Sequence, residues 1–293
     1  MSILKNIRSF GLSSNFSDIV FMMNIKIGTQ GWNYGDWVSR TDETVFYPHG
    51  TKSSEMLAVY ARAFETVEVD STFYAIPQQQ TFENWAKKTP DDFTFSLKMP
   101  RAITHDAGLQ KSSFPALDEF CERALTLKEK LAAVLIQLPP QFEADEERVR
   151  ALLEFLPRLP KDIRFAVEFR SRSWFKGETL DVLRKHNVSL SLTESSFIPR
   201  SFMFEAAGKL TADFVYVRFM GERDLTRFDC IQRKQDENLW LWFEVLSEIK
   251  AQMFVYFSNF YEGFAPTSVN KLKRMFRQET TDFSELENQP SLF

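Results

Sequence analysis

Eight short apolar runs punctuate the sequence, at residues 25–32, 67–74, 93–100, 132–139, 165–170, 190–195, 214–221 and 253–260, and most close on a polar or charged side chain. Stretches with helical periodicity separate most of these runs. The spacing predicts helices over 53–64, 81–88, 115–130, 146–156, 179–186, 236–250 and 267–277, with only a weak pattern over 198–213. In the first of them Met56, Leu57, Tyr60, Ala61 and Phe64 share one face, behind Ser53 or Ser54 as N-cap. Strands alternating with helices predict a parallel sheet, and about eight such units close into a barrel. The expected fold is α/β, a (β/α)8 TIM-barrel-like closed parallel sheet, in which chemistry gathers where the strands end.

A chain of 293 residues accommodates one such barrel, so residues 25–278 are read as a single domain. Residues 1–24 belong to no barrel unit. They are read either as a short ordered appendage or as an upstream extension, with the start at Met22 or Met23. Residues 279–293 turn acidic and polar before an apolar tip and are read as flexible spacer. The loops 33–52, 101–114 and 220–235 are longer than a plain barrel needs. Each leaves the C-terminal side of a strand, where lids and binding loops belong.

Composition narrows the function classes. A net charge of -4 argues against a surface coated for nucleic acid but leaves room for a local basic cleft. No apolar run approaches the roughly 18 residues of a membrane helix. Cys121 and Cys230 form no CxxC pair and, with no signal peptide, fit a reducing cytoplasm. His49, His105 and His186 are the only histidines, too few for a multi-histidine zinc hydrolase or a three-metal endonuclease. No metal ligand set is assigned, and a divalent cation remains open only through carboxylates. Gly28, Gly31 and Gly35 have the wrong pitch for a dinucleotide fingerprint, and no P-loop, GxSxG or HExxH occurs, so no nucleotide cofactor is expected. The 30 Phe and 6 Trp indicate an aromatic-rich core.

Alternate residues of a strand share a face. In the fifth run this pairs Glu168 with Arg170, opposite Phe165, Val167 and Phe169, which suit the helix layer. Buried charges need partners, and Lys98 and Arg218, near the ends of the third and seventh runs, are the candidates. A structural ion network plugging the barrel mouth is the competing reading; clustering at strand ends favours function. Lys98, Arg101, Arg170 and Arg218 outnumber Asp70, Glu168 and Glu194, and guanidinium forks match phosphate or carboxylate oxygens. The expected catalytic groups are Glu168, Asp70 and Lys98, with Glu168 an ionised base or metal ligand. Arg170, Arg218, Gln137 and Asn259 are expected to bind substrate. Trp32, Tyr34, Tyr74 and Trp174 are expected to stack on sugar rings or bases, with packing beneath a loop as the alternative. His105 is read either as a proton shuttle or as a solvated loop histidine.

The segments Gly28-Thr29-Gln30-Gly31-Trp32-Asn33-Tyr34, Phe46-Tyr47-Pro48, VEVDSTFYAIP at 67–77, Trp85, Thr89-Pro90, FTFSLK at 93–98, 166–170 with Ser173-Trp174, and 216–221 resemble the DUF72 (YecE-like) family. The resemblance runs from about Ile25 to Lys273. It implies a TIM-barrel-like fold, of a kind likened to the endonuclease IV and xylose isomerase barrels, and supplies no activity. Where that family often carries histidine, this chain has Ser171, Met220, Phe260 and Phe264, and Ser258 stands at a position often Asn, beside a retained Asn259. These departures imply a diverged site and weigh against a metallohydrolase.

The terminal Gln289-Pro290-Ser291-Leu292-Phe293 resembles the peptide by which bacterial polymerases and repair proteins dock on the DNA sliding clamp. Leu292 and Phe293 would be adjacent apolar anchors and Gln289 would fix the register; the alternative is a sticky tip on a disordered tail. Together these readings describe a hydrolase-like enzyme acting on a phosphate-bearing or nucleic-acid substrate, linked to DNA metabolism through its tail. The alternatives are a non-catalytic anion- or nucleic-acid-binding protein on a degenerate barrel, and a sugar-phosphate isomerase or lyase.

Overall fold

The computed structural model describes residues 24–40 and 45–287. Among them nine parallel strands form one sheet: β1 (Ile25–Gln30), β2 (Thr66–Val69), β3 (Thr94–Lys98), β4 (Leu131–Gln137), β5 (Phe165–Glu168), β6 (Val188–Leu190), β7 (Leu192–Glu194), β8 (Phe214–Phe219) and β9 (Gln252–Phe257). Their order, β6-β5-β4-β3-β2-β1-β9-β8-β7, places β6 and β7 at the two edges. Those two are halves of one segment divided at Ser191, so the sheet nearly closes on itself as a barrel of eight staves, the fold expected from the alternation. The sixth apolar run is this broken stave. β6 pairs with β5, Val188 opposite Phe165, and β7 pairs with β8, Leu192 opposite Val217. Ser191 bridges the break, its N–H donating to the Val167 carbonyl at 2.8 Å and its hydroxyl meeting that of Thr193 at 2.9 Å.

The helices are α1 (Met56–Ala63), α2 (Gln79–Lys87), α3 (Phe114–Ala124), α4 (Glu146–Phe155), α5 (Gly177–Lys185), α6 (Arg200–Ala207), α7 (Asp236–Ser247), α8 (Asn259–Glu262) and α9 (Ala265–Met275). Helix α6 fills the connection with the weak pattern. Helix α3 stops at Ala124 because a 3-10 turn with Lys128 at φ 52° follows it. Neither Ser53 nor Ser54 caps α1; the cap is Glu55, whose carboxylate accepts the Lys52 N–H at 2.9 Å. The eighth run ends at Phe257, and Phe260 belongs to α8, which starts where the Ser258 hydroxyl accepts the Phe260 N–H. No helix among the described residues is long and apolar enough to cross a membrane.

Strand alternation divides the core in two. Val67, Val69, Val134, Ile136, Val167, Val217 and Val255 face the helices and join the large outer core. Ala133, Leu135, Ala166, Phe214, Tyr216, Phe254 and Tyr256 fill the barrel as a separate inner cluster. Its upper layer is already polar: the Tyr256 hydroxyl meets those of Thr66 and Ser96 at 2.9 and 2.8 Å. Gly28 makes this layer possible, because a Cβ there would stand 2.0 Å from the Thr66 carbonyl oxygen.

Two expectations about the surface change. The described part of the loop after β1 is no open lid, since Trp37, Phe46 and Tyr47 are fully buried and Phe46 packs on Tyr60 and Phe64. The supposed spacer begins docked: Phe283 meets Phe46 at 5.0 Å between ring centroids, and Leu286 is 2% exposed. Apolar residues three apart on one 3-10 turn give residues 283–286 a face to bury, which an acidic composition conceals. Residues 1–23, with the candidate starts Met22 and Met23, and the anchors Gln289, Leu292 and Phe293 lie outside the described residues.

Candidate functional site

Above the inner tyrosines the barrel is plugged by charge. Arg218, at the end of β8, is completely buried and donates through Nε and Nη2 to both oxygens of Glu68 on β2, at 2.8 and 2.7 Å. The Tyr216 hydroxyl donates to the same carboxylate at 2.8 Å. The Arg218 Nη1 reaches Glu168 Oε2, and Glu168 Oε1 accepts from Arg170 Nε at 2.7 Å. A continuous relay, Tyr216–Glu68–Arg218–Glu168–Arg170, thus climbs from the core to the barrel mouth. Burial alone would raise the pKa of Glu168; Arg218 and then Arg170 outweigh it and hold it down to about 2. Both oxygens of Glu168 are occupied and the group is a permanent anion. It is 2% exposed, held between two arginines, and positions Arg170 rather than facing the cleft, which corrects the expected catalytic role. Arg218 likewise spends all three nitrogens inside the barrel and does not reach a ligand.

Glu68 is the residue that sequence reasoning missed. The signal was available, because Glu68 and Asp70 alternate along β2 as Glu168 and Arg170 do along β5, and a buried Arg218 requires an anionic partner.

Arg170 is the outlet of the relay. Its side chain is 14% exposed, its guanidinium lies 4.7 Å from the centroid of the Phe197 ring, and Nη1 and Nη2 make no hydrogen bond among the described residues. It lines a cleft of about 620 Å³ at the strand ends. Tyr34, Tyr74, Phe197, Phe228 and Phe260 supply aromatic walls, and Gln30, Asp70, Ser258 and Asn259 supply a polar floor. Tyr34 is fixed by donating to the Gln30 carbonyl at 2.7 Å, whereas Tyr74 is 80% exposed at the rim.

Two titratable groups beside the relay are pushed in opposite directions. Burial, then Glu68, raises the pKa of Asp70, although Gln30 Nε2 donates to it at 2.9 Å. Burial, then Arg218, drives the Lys98 amine down to about 8. Its Nζ sits 4.0 Å from the Phe73 ring centroid, with no hydrogen bond or ion pair among the described residues. Both shifts run toward the neutral range, where a side chain can both give and take a proton. The unfolded chain keeps the Lys98 proton between about 8 and 10.5 while the folded chain has lost it, so folding stability rises with pH across that window. Unfolding free energies measured through this range are expected to show the rise in the wild type and a flatter profile in Lys98→Met; identical slopes would mean that Lys98 titrates normally.

His105 is partly exposed and lies outside the cleft, lining a separate hollow with Arg101 and Asp106. It sits in a π-helical turn, Ala102–Asp106, edge-on to Phe73 at 4.9 Å, with Nε2 3.4 Å from Gln137 Nε2. Burial, then Lys98, holds it down to about 4, so it is a neutral imidazole at ordinary pH. Gln137 is 2% exposed, also donates to the Leu138 carbonyl, and supports His105 rather than contacting a ligand. Trp174 is 2% exposed, stacked between Phe142 and Phe169, because the turn Arg172–Trp174 swings its indole into the helix layer. Trp32 meets Trp85 edge-on and lines a separate hollow beside Leu57 and Asn84. Trp174 is therefore a packing residue, and Trp32 stands outside the cleft. Glu194 is also occupied, accepting from Arg200, Asn238 and Trp242. No three His, Cys, Asp or Glu side chains among the described residues stand close enough to hold a metal ion. Of the expected set, Arg170, Asp70, Asn259, Tyr34 and Tyr74 line the cleft, and Lys98 lies behind it.

The chain is 30% identical over 236 residues to the UPF0759 protein YecE of Escherichia coli (strain K12), covering 74% of this chain and 79% of that protein. It is 37% identical over 158 residues to the UPF0759 protein YunF of Bacillus subtilis (strain 168), a match that spans 52% of each, about half the length of that relative. The crystal structure of a DUF72 family protein from Thermotoga maritima matches with a TM-score of 0.69 at 27% identity, covering 87% of this chain and 99% of that one. The model of the family described as protein of unknown function DUF72 matches residues 26–292, and the chain belongs to that family.

Proposed function

We propose that the cleft is the active site of an enzyme that binds a small phosphate-bearing substrate, a sugar phosphate or a nucleotide. Arg170 receives the phosphate, the aromatic walls enclose the remainder, and Asp70, which lines the cleft, exchanges a proton with it. The observation that carries this reading is the half-used guanidinium of Arg170: one edge is clamped by a permanent anion and the other faces a cleft of small-molecule size. In the cleft lining Asp70 and Glu222 balance Arg170 and Arg223, so there is no surplus of positive charge for a long polyanion, which argues for one phosphate group rather than a duplex. Thermal-shift measurements with inorganic phosphate, sugar phosphates, nucleotides and short DNA test it. Expected is stabilisation by phosphate monoesters and none by their dephosphorylated counterparts; equal responses to both would contradict it.

A second reading is a binding protein without turnover. The engagement of Glu168 by two arginines favours it, as do Ser171, Met220, Phe260 and Phe264 where the family resemblance implies histidine. Ligand-induced stabilisation combined with no conversion of any bound phosphate ester would decide for it. A link to DNA metabolism rests on the terminal peptide alone. Leu286 is anchored to the barrel, its carbonyl accepting from Arg62 Nη2 at 3.1 Å, so a peptide that follows it is tethered at a fixed point. Calorimetric titration with purified sliding clamp should show binding that disappears when Leu292 and Phe293 are deleted; unchanged binding would remove the link.

A further inference from the structure

Helix α8 carries two buried donors that the fold leaves unused. Asn259 Oδ1 accepts the Ala265 N–H at 3.0 Å, but Asn259 Nδ2 has no partner among the described residues. The Tyr261 hydroxyl, on a side chain 1% exposed, has none either. Its ring packs on Phe219 and Phe257 at 5.2 and 5.6 Å between centroids, a role that phenylalanine fills equally well. Leaving a buried hydroxyl unpaired is destabilising, so its presence asks for a ligand.

Asn259 lines the main cleft, and Tyr261 lines a side pocket of about 260 Å³ that shares Ser195, Ser196, Gly221 and Glu222 with it. Gly221 forms the ledge between the two spaces. Its φ is +65°, and a Cβ there would stand 2.1 Å from the Phe260 carbonyl oxygen, so the loop lies flat on α8 only with glycine. The side pocket offers hydroxyls, the Gln235 amide and one unpaired carboxylate, Glu222. Its other charges are neutralised: Glu194 is saturated and Arg233 is paired with Asp224. Such a lining suits a polyhydroxylated neutral group, and Glu222 repels a second anion.

We infer that this side pocket is a sugar subsite, taking the hydroxyl-bearing ring of a phosphorylated sugar, free or within a nucleotide, with Tyr261 and Asn259 donating to its oxygens. The inference rests on the reading of Arg170 as the phosphate site and narrows the substrate class. Titration calorimetry with inorganic phosphate, ribose 5-phosphate and AMP, on wild type and Tyr261→Phe, tests it. Ribose 5-phosphate should bind the wild type at least about tenfold more tightly than inorganic phosphate. Tyr261→Phe should weaken ribose 5-phosphate by about five- to tenfold, leave inorganic phosphate unchanged and not lower the thermal midpoint of the free protein. A tighter AMP complex would identify the nucleotide as the source of the sugar, a weaker one the free sugar phosphate, and both orders support the subsite. Equal binding of ribose 5-phosphate by the two proteins, or no gain over inorganic phosphate, would overturn it. Weak binding of inorganic phosphate that is insensitive to Arg170→Ala, with the Tyr261→Phe effect intact, would instead refute only the phosphate assignment.

Discussion

Arg218→Ala is expected to destabilise the fold by about 3–5 kcal/mol, the range for breaking one partner out of a buried ion pair. The guanidinium is fully buried and serves two carboxylates, Glu68 through two nitrogens and Glu168 through the third. Its removal strands Glu68 with only the Tyr216 hydroxyl and leaves Glu168 to Arg170 and a long 3.5 Å contact from Thr193. Glu168, held down to about 2 in the intact relay, would lose the larger of its two cationic supports. Arg218→Met combined with Glu68→Leu removes charge and countercharge together, so it should cost clearly less than Arg218→Ala although it changes more atoms. Urea unfolding at neutral pH measures both. A loss below about 1 kcal/mol for Arg218→Ala would mean that the relay does not hold the barrel mouth.

Arg170→Ala is expected to weaken a phosphate ester by about 100-fold, while changing stability far less. Two charge-assisted hydrogen bonds from Nη1 and Nη2 are each worth about 1.5–3 kcal/mol, and about 3 kcal/mol corresponds to that factor. Glu168→Gln should produce a smaller loss of affinity, because a neutral amide still fills the space but anchors Arg170 Nε poorly. That gradation separates a group touching the ligand from one that positions it.

The barrel was legible in the sequence because strand and helix periods alternate cleanly, and the breaks were not. The division of the sixth stave at Ser191 leaves no mark in the hydrophobic pattern, since Ser189, Ser191 and Thr193 alternate along it as buried polar residues and the last two satisfy each other's hydroxyls. The candidate cleft was legible as a charge cluster at strand ends, and Arg170 and Asp70 line it. What the sequence concealed was direction. Arg218 and Arg170 are chemically alike, yet one is consumed by Glu68 inside the barrel and the other keeps an edge for the cleft. The tryptophans misled for a related reason: Trp174 follows a strand as a ligand-binding aromatic would, and only the capped turn at Ser171 sends it into the core. Phe283 and Leu286 were hidden by the acidic residues around them.

The central claim is that Arg170, held by Glu168, presents a free guanidinium edge to a phosphate group in the cleft. Titration calorimetry of ribose 5-phosphate into wild type, Arg170→Ala and the surface control Arg172→Ala tests it most directly. Binding that survives in the control and drops about 100-fold in Arg170→Ala is the expected result; equal affinity for all three proteins would contradict it.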